Sequence, residues 1–471
     1  MNARALLSLA LRNLLRNRRR SLATLLAMVV GLTAILLFGG YRANILYGMQ
    51  TGFVQQSGHL QIQRRGYFLD GGDNPTAYGI ADYRKIIAAI RSDNTLAPLV
   101  VEATPSLRLG GIAGNFTAGV SRSVMAIGLV PEESNRMLAW NDYDMVSYAR
   151  PLPLAGAGAD AVVIGSGLAR KLQLCAVLAV PDCRQASAAG DAPATKNATD
   201  AGAPEDVLAL SALEKAQQPP AAQNRIEMLA ATAGGAPNVA SLVVIEAKNM
   251  GIKAIDDLYM AMNLSQAQKL IYGAGVPAVT AIALQLRHTA QMPAARARLA
   301  ALLESEFPGE PLELLDFQTL NPMYGQTDQF MGSMFGFIAM LIGVIVLFTI
   351  GNTMSTAVME RTTEIGTLRA IGLRRSGIRR LFMCEALLLG AIGSAAGLVC
   401  ALGIAWLINH SGWTWTPPGY SYAYLILVRV GQNTPLLVGS IVGMIGVTMA
   451  SAWWPARRAA KLEIVDALRH A

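Results

Sequence analysis

A chain of 471 residues exceeds what one core usually holds and leaves room for about three structural units at roughly 150 residues each. Hydrophobic residues make up 53% of it and charged residues only 15%, against about 25% charged in ordinary soluble domains, which excludes a purely soluble protein. The net charge of +8 is not laid out as a nucleic-acid face: arginines crowd into Arg4 to Arg20, Arg361 to Arg380 and Arg457 to Arg469, each beside a long uncharged apolar run, as the positive-inside rule describes.

Residues 1–20 open with Ala5-Leu6-Leu7 and Leu9-Ala10-Leu11 at helical spacing and basic residues opposite, a pattern suited to a helix on the cytoplasmic headgroups or to a plain topogenic flank. The first apolar run, Leu22 to Tyr41, lacks any Asp, Glu, Lys or Arg and is longer than the roughly 7 to 15 residues of a signal-peptide core, so it reads as a span rather than a cleaved leader. Three more such runs follow, Phe330 to Ile350, Ala386 to Ile408 and Leu436 to Trp454, each near the roughly 20 residues that cross a bilayer core. The expected fold class is a membrane protein of four transmembrane α-helices with a large α/β extracytoplasmic domain inserted between the first and second. The expected division is 21–45, 329–356, 381–408 and 436–455 for the spans, 46–328 for the outer domain, 357–380 for a cytoplasmic connector, 409–435 for an outer loop and 456–471 for a cytoplasmic tail. With the basic clusters inside, both termini are expected in the cytoplasm of a bacterial cell and the large domain in the periplasm.

Within the outer segment, Gly58 to Gln63 alternates like a half-buried strand, and Tyr83 to Ile90 offers a short helix with Ile86, Ile87 and Ile90 on one side. Val162-Val163-Ile164-Gly165-Ser166-Gly167 reads as a strand turning into a helix. Val279 to Leu286 predicts a strand, Pro293 to Ser305 a helix opened by proline, and Leu312 to Phe317 another strand, a β-α-β run. The stretch 186–237 is rich in Ala, Pro, Asp, Asn and Gln with few aliphatics, so it is expected to be a mobile insertion, the alternative being a helical hairpin through Ala203 to Ala216. Cys175 and Cys183 fall in the outer segment, where an oxidising compartment permits a disulfide between them; Cys384 and Cys400 read as small apolar packers. Gly332 and Gly336, Gly393 and Gly397, and Gly439 and Gly443 recur at four-residue spacing inside the spans and predict close helix approach.

No phosphate-binding G-x-x-x-x-G-K-[ST] occurs, so the chain is expected to bind no cofactor and to leave ATP and Mg to a partner. Gly165 to Gly167 is not a nucleophile elbow, because Ile164 takes the place of its first glycine. The histidines form no metal-ligand motif, and no catalytic residue or metal site is expected.

The stretch from Glu360 through Arg361, Glu364, Ile365, Gly366, Leu368, Arg369, Ala370 and Ile371 to Gly372, followed by Ile378 to Phe382 and Glu385-Ala386, resembles the cytoplasmic connector of FtsX-like permeases. Ala10 to Asn17 before the first span, Pro417-Pro418-Gly419 in the outer loop, and Pro455 to Ala460 with Ala467 to Arg469 agree with it in order. The family includes the lipoprotein-releasing permeases and the permease half of macrolide-exporter-type proteins, whose periplasmic core domain the outer segment resembles through Gly128 to Glu133, Val162 to Ala169 and Gly251 to Asp257. The resemblance implies that the connector docks into a separate ABC ATPase subunit, present in two copies, and that a second permease copy or a paralogue completes the machine. The residues themselves predict a short amphipathic helix with Ile365, Leu368 and Ile371 on one face, buried in a soluble partner's groove.

Aromatic and sulfur-bearing side chains gather at the outer ends of the first two spans. Phe38, Tyr41, Tyr47 and Phe53 on one side and Tyr324, Phe330 and Met334 on the other are candidate contacts for acyl chains, or alternatively belt anchors. The expected function is extraction or export of a lipid-bearing or lipoprotein substrate, with membrane lipid and a periplasmic carrier or adaptor as partners. The alternatives are efflux of a peptide or drug, or regulation of a cell-wall hydrolase.

Overall fold

The computed structural model describes residues 8–10, 12, 13, 16, 18–72, 74–146, 150–181, 224–416, 420 and 423–462. The chain forms two compact units: a helical one holding residues up to Met49, Pro322–Trp415 and the segment from Tyr424, and a sheet unit built on Gln50–Asn321.

Four helices of the described residues are long and apolar enough to cross a membrane: Arg18–Ser57, Pro322–Glu360, Arg375–Ser411 and Thr434–Lys461. The first two hold 40 and 39 residues, about 60 Å at 1.5 Å each, twice a bilayer core. They run unbroken past the expected span ends at 45 and 329, because loss of apolar character ends a span without ending a helix. Inside this unit Met28, Leu32 and Leu36 meet Val346, Ile350, Phe382, Leu389, Met444 and Ala456 in one core. Among the described residues, only one of the three glycine pairs makes a close approach. A Cβ on Gly393 would lie 2.9 Å from Met28 Cε and one on Gly397 3.1 Å from Leu32, whereas Gly336, Gly439 and Gly443 meet nothing within 4 Å. The loop after the third span carries a small hairpin, β10 (Thr414–Trp415) on β11 (Tyr424–Leu425); Pro417, Pro418 and Gly419 lie outside the described residues.

The sheet unit holds nine strands: β1 (Leu60–Arg64), β2 (Val100–Asn115), β3 (Val120–Leu129), β4 (Ala161–Gly165), β5 (Arg225–Ala231), β6 (Pro237–Lys248), β7 (Tyr259–Asn263), β8 (Ala281–Leu286) and β9 (Leu312–Asp316). Their order is β3-β7-β4-β6-β5-β2-β8-β1-β9, and the long strand β2 also pairs with β3, so β2, β3, β7, β4, β6 and β5 close into a ring. From the ring, β8, β1 and β9 continue antiparallel, covered by helices Tyr83–Ser92 and Met292–Glu306, which bury Ile86, Ile90, Leu299 and Leu302 against Leu60, Ile62, Ile282 and Leu284. The β-α-β run is thus present. The strand expected to be half-buried is not: Gln61 and Gln63 on its other face are buried too, with Gln63 donating to Gln61 at 2.8 Å and Gln61 to the Ser57 carbonyl at 3.0 Å.

Two glycines are required by close approach. Gly58, with φ +73°, turns the first helix into β1, and a Cβ there would lie 2.6 Å from the Leu284 carbonyl oxygen. At the strand-to-helix turn a Cβ on Gly165 would meet the Asp256 carbonyl oxygen at 2.0 Å, while the Asp256 carboxylate accepts from the Ser166 and Gly167 amides at 3.0 and 2.7 Å.

The expected insertion 186–237 needs correction at its end. Residues 225–231 are strand β5, paired with β6 and β2, with Ile226 and Met228 in the core. Arg225-Ile226-Glu227-Met228-Leu229-Ala230 alternates with period two, a signal that averaging composition over the whole stretch conceals. Residues 186–223, with the alternative helical hairpin, lie outside the described residues.

Candidate functional site

The connector begins where the second long helix stops. Glu360 is its last residue, Arg361 breaks from helical geometry at φ −106° and ψ 20°, and a short helix, Thr362–Ala370, follows. Ile371 leads to Gly372 at φ +103°, a backbone state that side chains with a Cβ rarely adopt, and the third long helix starts at Arg375.

The Arg361 side chain turns inward. Its Nη1 donates to Glu385 Oε1 at 3.1 Å and its Nη2 to the Asn13 carbonyl at 3.1 Å, while Asn13 Nδ2 donates to the same Glu385 oxygen at 2.5 Å. Only 8% of the Arg361 side chain and 4% of the Glu385 side chain are exposed. Three segments, the stretch at Asn13, the connector and the third span, therefore share one buried charge pair. Arg16 adds an exposed ion pair to Glu364, and Arg369 donates to the carbonyl of Leu462 beyond the fourth span.

The predicted face is redistributed by this anchoring. Ile365 is buried in the chain's own core with Gly366 beside it, and Leu368 packs against that core, so neither waits for a partner's groove. Ile371, expected beside them, is 80% exposed, and the outward ridge carries Glu360, Glu364, Thr367, Ala370 and Ile371. Six residues of helix turn through about 600°, which sets Ile371 some 120° away from Ile365. Sequence reading missed Asn13 and Glu385 as partners of Arg361. The available signal was a carboxylate in Leu381-Phe382-Met383-Cys384-Glu385-Ala386-Leu387, an otherwise apolar stretch where an ionisable group marks a buried partner.

Of the candidate substrate contacts, Phe38 stacks on Phe335 with centroids 6.2 Å apart and planes 10° apart, and Arg42 Nη2 pairs with Asp328 Oδ1 at 2.5 Å. Phe330 is 68% and Met334 39% exposed, while Tyr41 and Tyr47 on the first helix and Tyr324 on the second are half-buried. Phe53 belongs to the sheet unit. Cys175 is disulfide-bonded, whereas Cys183 lies outside the described residues. Cys384 and Cys400 are free.

The sheet unit holds the end of the first helix through a polar network. Gln50 donates to Thr289 Oγ1 at 2.9 Å and Gln55 to the Trp140 carbonyl at 2.8 Å. Just beyond, buried His59 accepts from the Leu286 amide at Nδ1, 3.0 Å away, and meets Thr289 Oγ1 at Nε2, 3.1 Å away. Burial pushes the His59 imidazole down to about 4, against a smaller upward pull from Asp142.

Two family models match the chain: the MacB-like periplasmic core domain over residues 21–180 and the FtsX-like permease C-terminal over residues 333–464. The chain thus carries a MacB-like periplasmic core domain and an FtsX-like permease C-terminal domain, and it is similar to ABC permeases that bear them. It is 34% identical over 143 residues to the ABC transporter permease YtrF of Bacillus subtilis, covering 28% of this chain and 30% of that protein. It is 29% identical over 187 residues to the macrolide export ATP-binding/permease protein MacB of Neisseria gonorrhoeae, covering 40% and 27%. With the lipoprotein-releasing system transmembrane protein LolC of Neisseria meningitidis it shares 24% identity over 246 residues, 50% of this chain and 57% of LolC. The matches thus span from about a quarter to somewhat over half of these relatives' lengths.

Proposed function

We propose that this permease is the motion-transmitting membrane subunit of an ABC transporter whose nucleotides are held elsewhere. ATP and Mg bind to a separate ATPase subunit, present in two copies, and a second permease copy or a paralogue pairs with this one. The spans lie in a bacterial inner membrane with both termini and the connector in the cytoplasm and the sheet unit in the periplasm. The observation that carries this reading is the connector's anchoring: a helix with an outward ridge is tied by Arg361, Glu385 and Asn13 to two other segments, so force applied to the ridge reaches the spans directly instead of bending a loop. Buried charge networks with few alternative partners transmit displacement because they hold one geometry.

The substrate is a lipid-bearing molecule such as a lipoprotein, admitted beside the first two spans. The exposed apolar face of the second span, with Phe330, Phe337, Met340 and Phe348 each at least 60% exposed, suits acyl chains. Delivery to a periplasmic carrier follows. Photo-crosslinkers at Tyr47 and Phe330 test this reading: capture of lipid or lipoprotein that depends on the ATPase supports it. Capture of helices alone, with a peptide or drug crosslinking to the sheet unit, overturns it in favour of efflux with a periplasmic adaptor.

A further inference from the structure

The last three turns of the fourth long helix divide cleanly by exposure. Ser451, Ala452, Pro455, Ala456, Ala459 and Ala460 are buried, whereas Trp453, Trp454, Arg457, Arg458 and Lys461 are exposed. The exposed face therefore runs from two indoles to three cations within about 12 Å of helix. A fourth cation reaches it from the third long helix, since the Arg379 guanidinium lies 5.6 Å from the ring centre of Trp453, and Arg458 stands over Trp454 at the same distance. None of these four cations is in an ion pair among the described residues.

Indoles this exposed, 51% for Trp453 and 63% for Trp454, belong at the level of lipid headgroups, where an apolar body and a polar N–H are both satisfied. Cations one turn farther out then stand at the headgroup phosphates. A guanidinium stacked on an indole has its plane fixed and its N–H edges free, which suits two-point contact with a phosphate. Charge without a carboxylate partner among the described residues, on a face crossing from one span to the next, calls for an anionic ligand at that depth.

We propose that Trp453, Trp454, Arg379, Arg457 and Arg458 form a binding site for the headgroup of an anionic phospholipid. The ligand class follows from these residues; its assignment to the cytoplasmic leaflet rests on the topology proposed above.

The test uses the full chain with Trp406, Trp413 and Trp415 replaced by Phe, reconstituted in phosphatidylcholine vesicles containing, at equal mole fraction, either brominated phosphatidylglycerol or brominated phosphatidylcholine. Brominated phosphatidylglycerol quenches the remaining tryptophan fluorescence more strongly if the site exists. Arg379→Gln, Arg457→Gln and Arg458→Gln each reduce that preference, by about fivefold per charge removed, while Arg458→Lys, which keeps the charge but loses the two-point contact, reduces it by less. Equal quenching by both lipids overturns the proposal, as does an undiminished preference in the Gln variants. Loss of ATPase-subunit capture in those variants with the lipid preference intact assigns the face to a protein partner and equally defeats it. Thiol labelling at Ser376 reports the topology separately, so a wrong leaflet and an absent site give different results.

Discussion

Arg361 and Glu385 meet at 3.1 Å across the connector, one just past the end of the second long helix and the other in the third turn of the third, both almost wholly removed from solvent. Removing one member of such a pair strands the other charge, which costs about 3 to 5 kcal/mol, whereas an exposed pair is worth about 1 kcal/mol or less. Glu385→Ala and Arg361→Ala are expected to lower the melting temperature of the purified chain strongly, and Arg16→Ala, which removes the exposed partner of Glu364, barely. The double variant Arg361→Met with Glu385→Met should recover stability but not ATPase stimulation. A double variant as unstable as the single ones would contradict the charge-stranding account.

The ridge and the anchor should separate by assay. Glu364→Lys and Ile371→Asp change exposed positions, so capture of the ATPase subunit is expected to fall at least tenfold with melting unchanged. Gly372→Ala places a Cβ on a backbone with φ +103°, at a cost of about 1 to 2 kcal/mol. Gly372→Pro cannot adopt that angle at all and should abolish coupling. Unimpaired capture in both ridge variants would show that docking uses another surface.

His59 gives the sheet unit a pH dependence of known sign. Its imidazole is pushed down to about 4 when folded, against 6.5 when exposed, so the neutral form is the one the fold holds. Stability from this group is complete above about pH 7 and is lost as pH falls from 6.5 towards 4, by about 3 kcal/mol in all. Protonation of Nδ1 would also oppose the Leu286 amide. Hydrogen-exchange protection of the β8 amides should fall between pH 6.5 and 5 by more in the native chain than in His59→Gln. Parallel pH profiles would exclude His59 as the cause.

Topology is tested with thiols. Single cysteines at Ser121 and Ser376, both exposed, are expected to react differently with an impermeant reagent in cells whose outer membrane is permeable: Ser121→Cys is labelled and Ser376→Cys is not. The reverse pattern would invert the membrane orientation.

Glycine packing supplies a graded comparison. Gly393→Val must displace Met28, whose Cε would lie 2.9 Å from the new Cβ, and is expected to cost about 1 to 3 kcal/mol. Gly443→Val meets nothing within 4 Å among the described residues and should leave melting of the isolated subunit unchanged. Equal destabilisation by both would mean that the second glycine faces a neighbour as close as Met28.

The elements legible in the sequence were those set by local periodicity. Ile86, Ile87 and Ile90 announce their helix, the strands near 281–286 and 312–316 announce themselves by apolar runs, and the spans are marked by absence of charge. What was not legible depended on distant partners. Ile365 turns inward because a core from four helices lies there, and nothing in the connector says which of its faces that core occupies. Glu385 sits one residue before an apolar run, and its meaning comes from Arg361 and Asn13. Strand β5 was hidden in a polar stretch, and the ring it completes needs parallel pairings of β3 with β7 and of β4 with β6 that no local pattern encodes.

The closure of that ring has a consequence for association. Each of β2, β3, β7, β4, β6 and β5 has a neighbour on both sides over part of its length, so their open margins of backbone amides and carbonyls are confined to short stretches such as Val120–Val124 of β3. Among the described strands of the sheet unit, β9 alone ends the series, with β1 as its single partner. A molecule that joins this sheet by strand addition finds at Leu312–Asp316 a described strand with one side open along its whole length, whereas the ring offers it only short stretches.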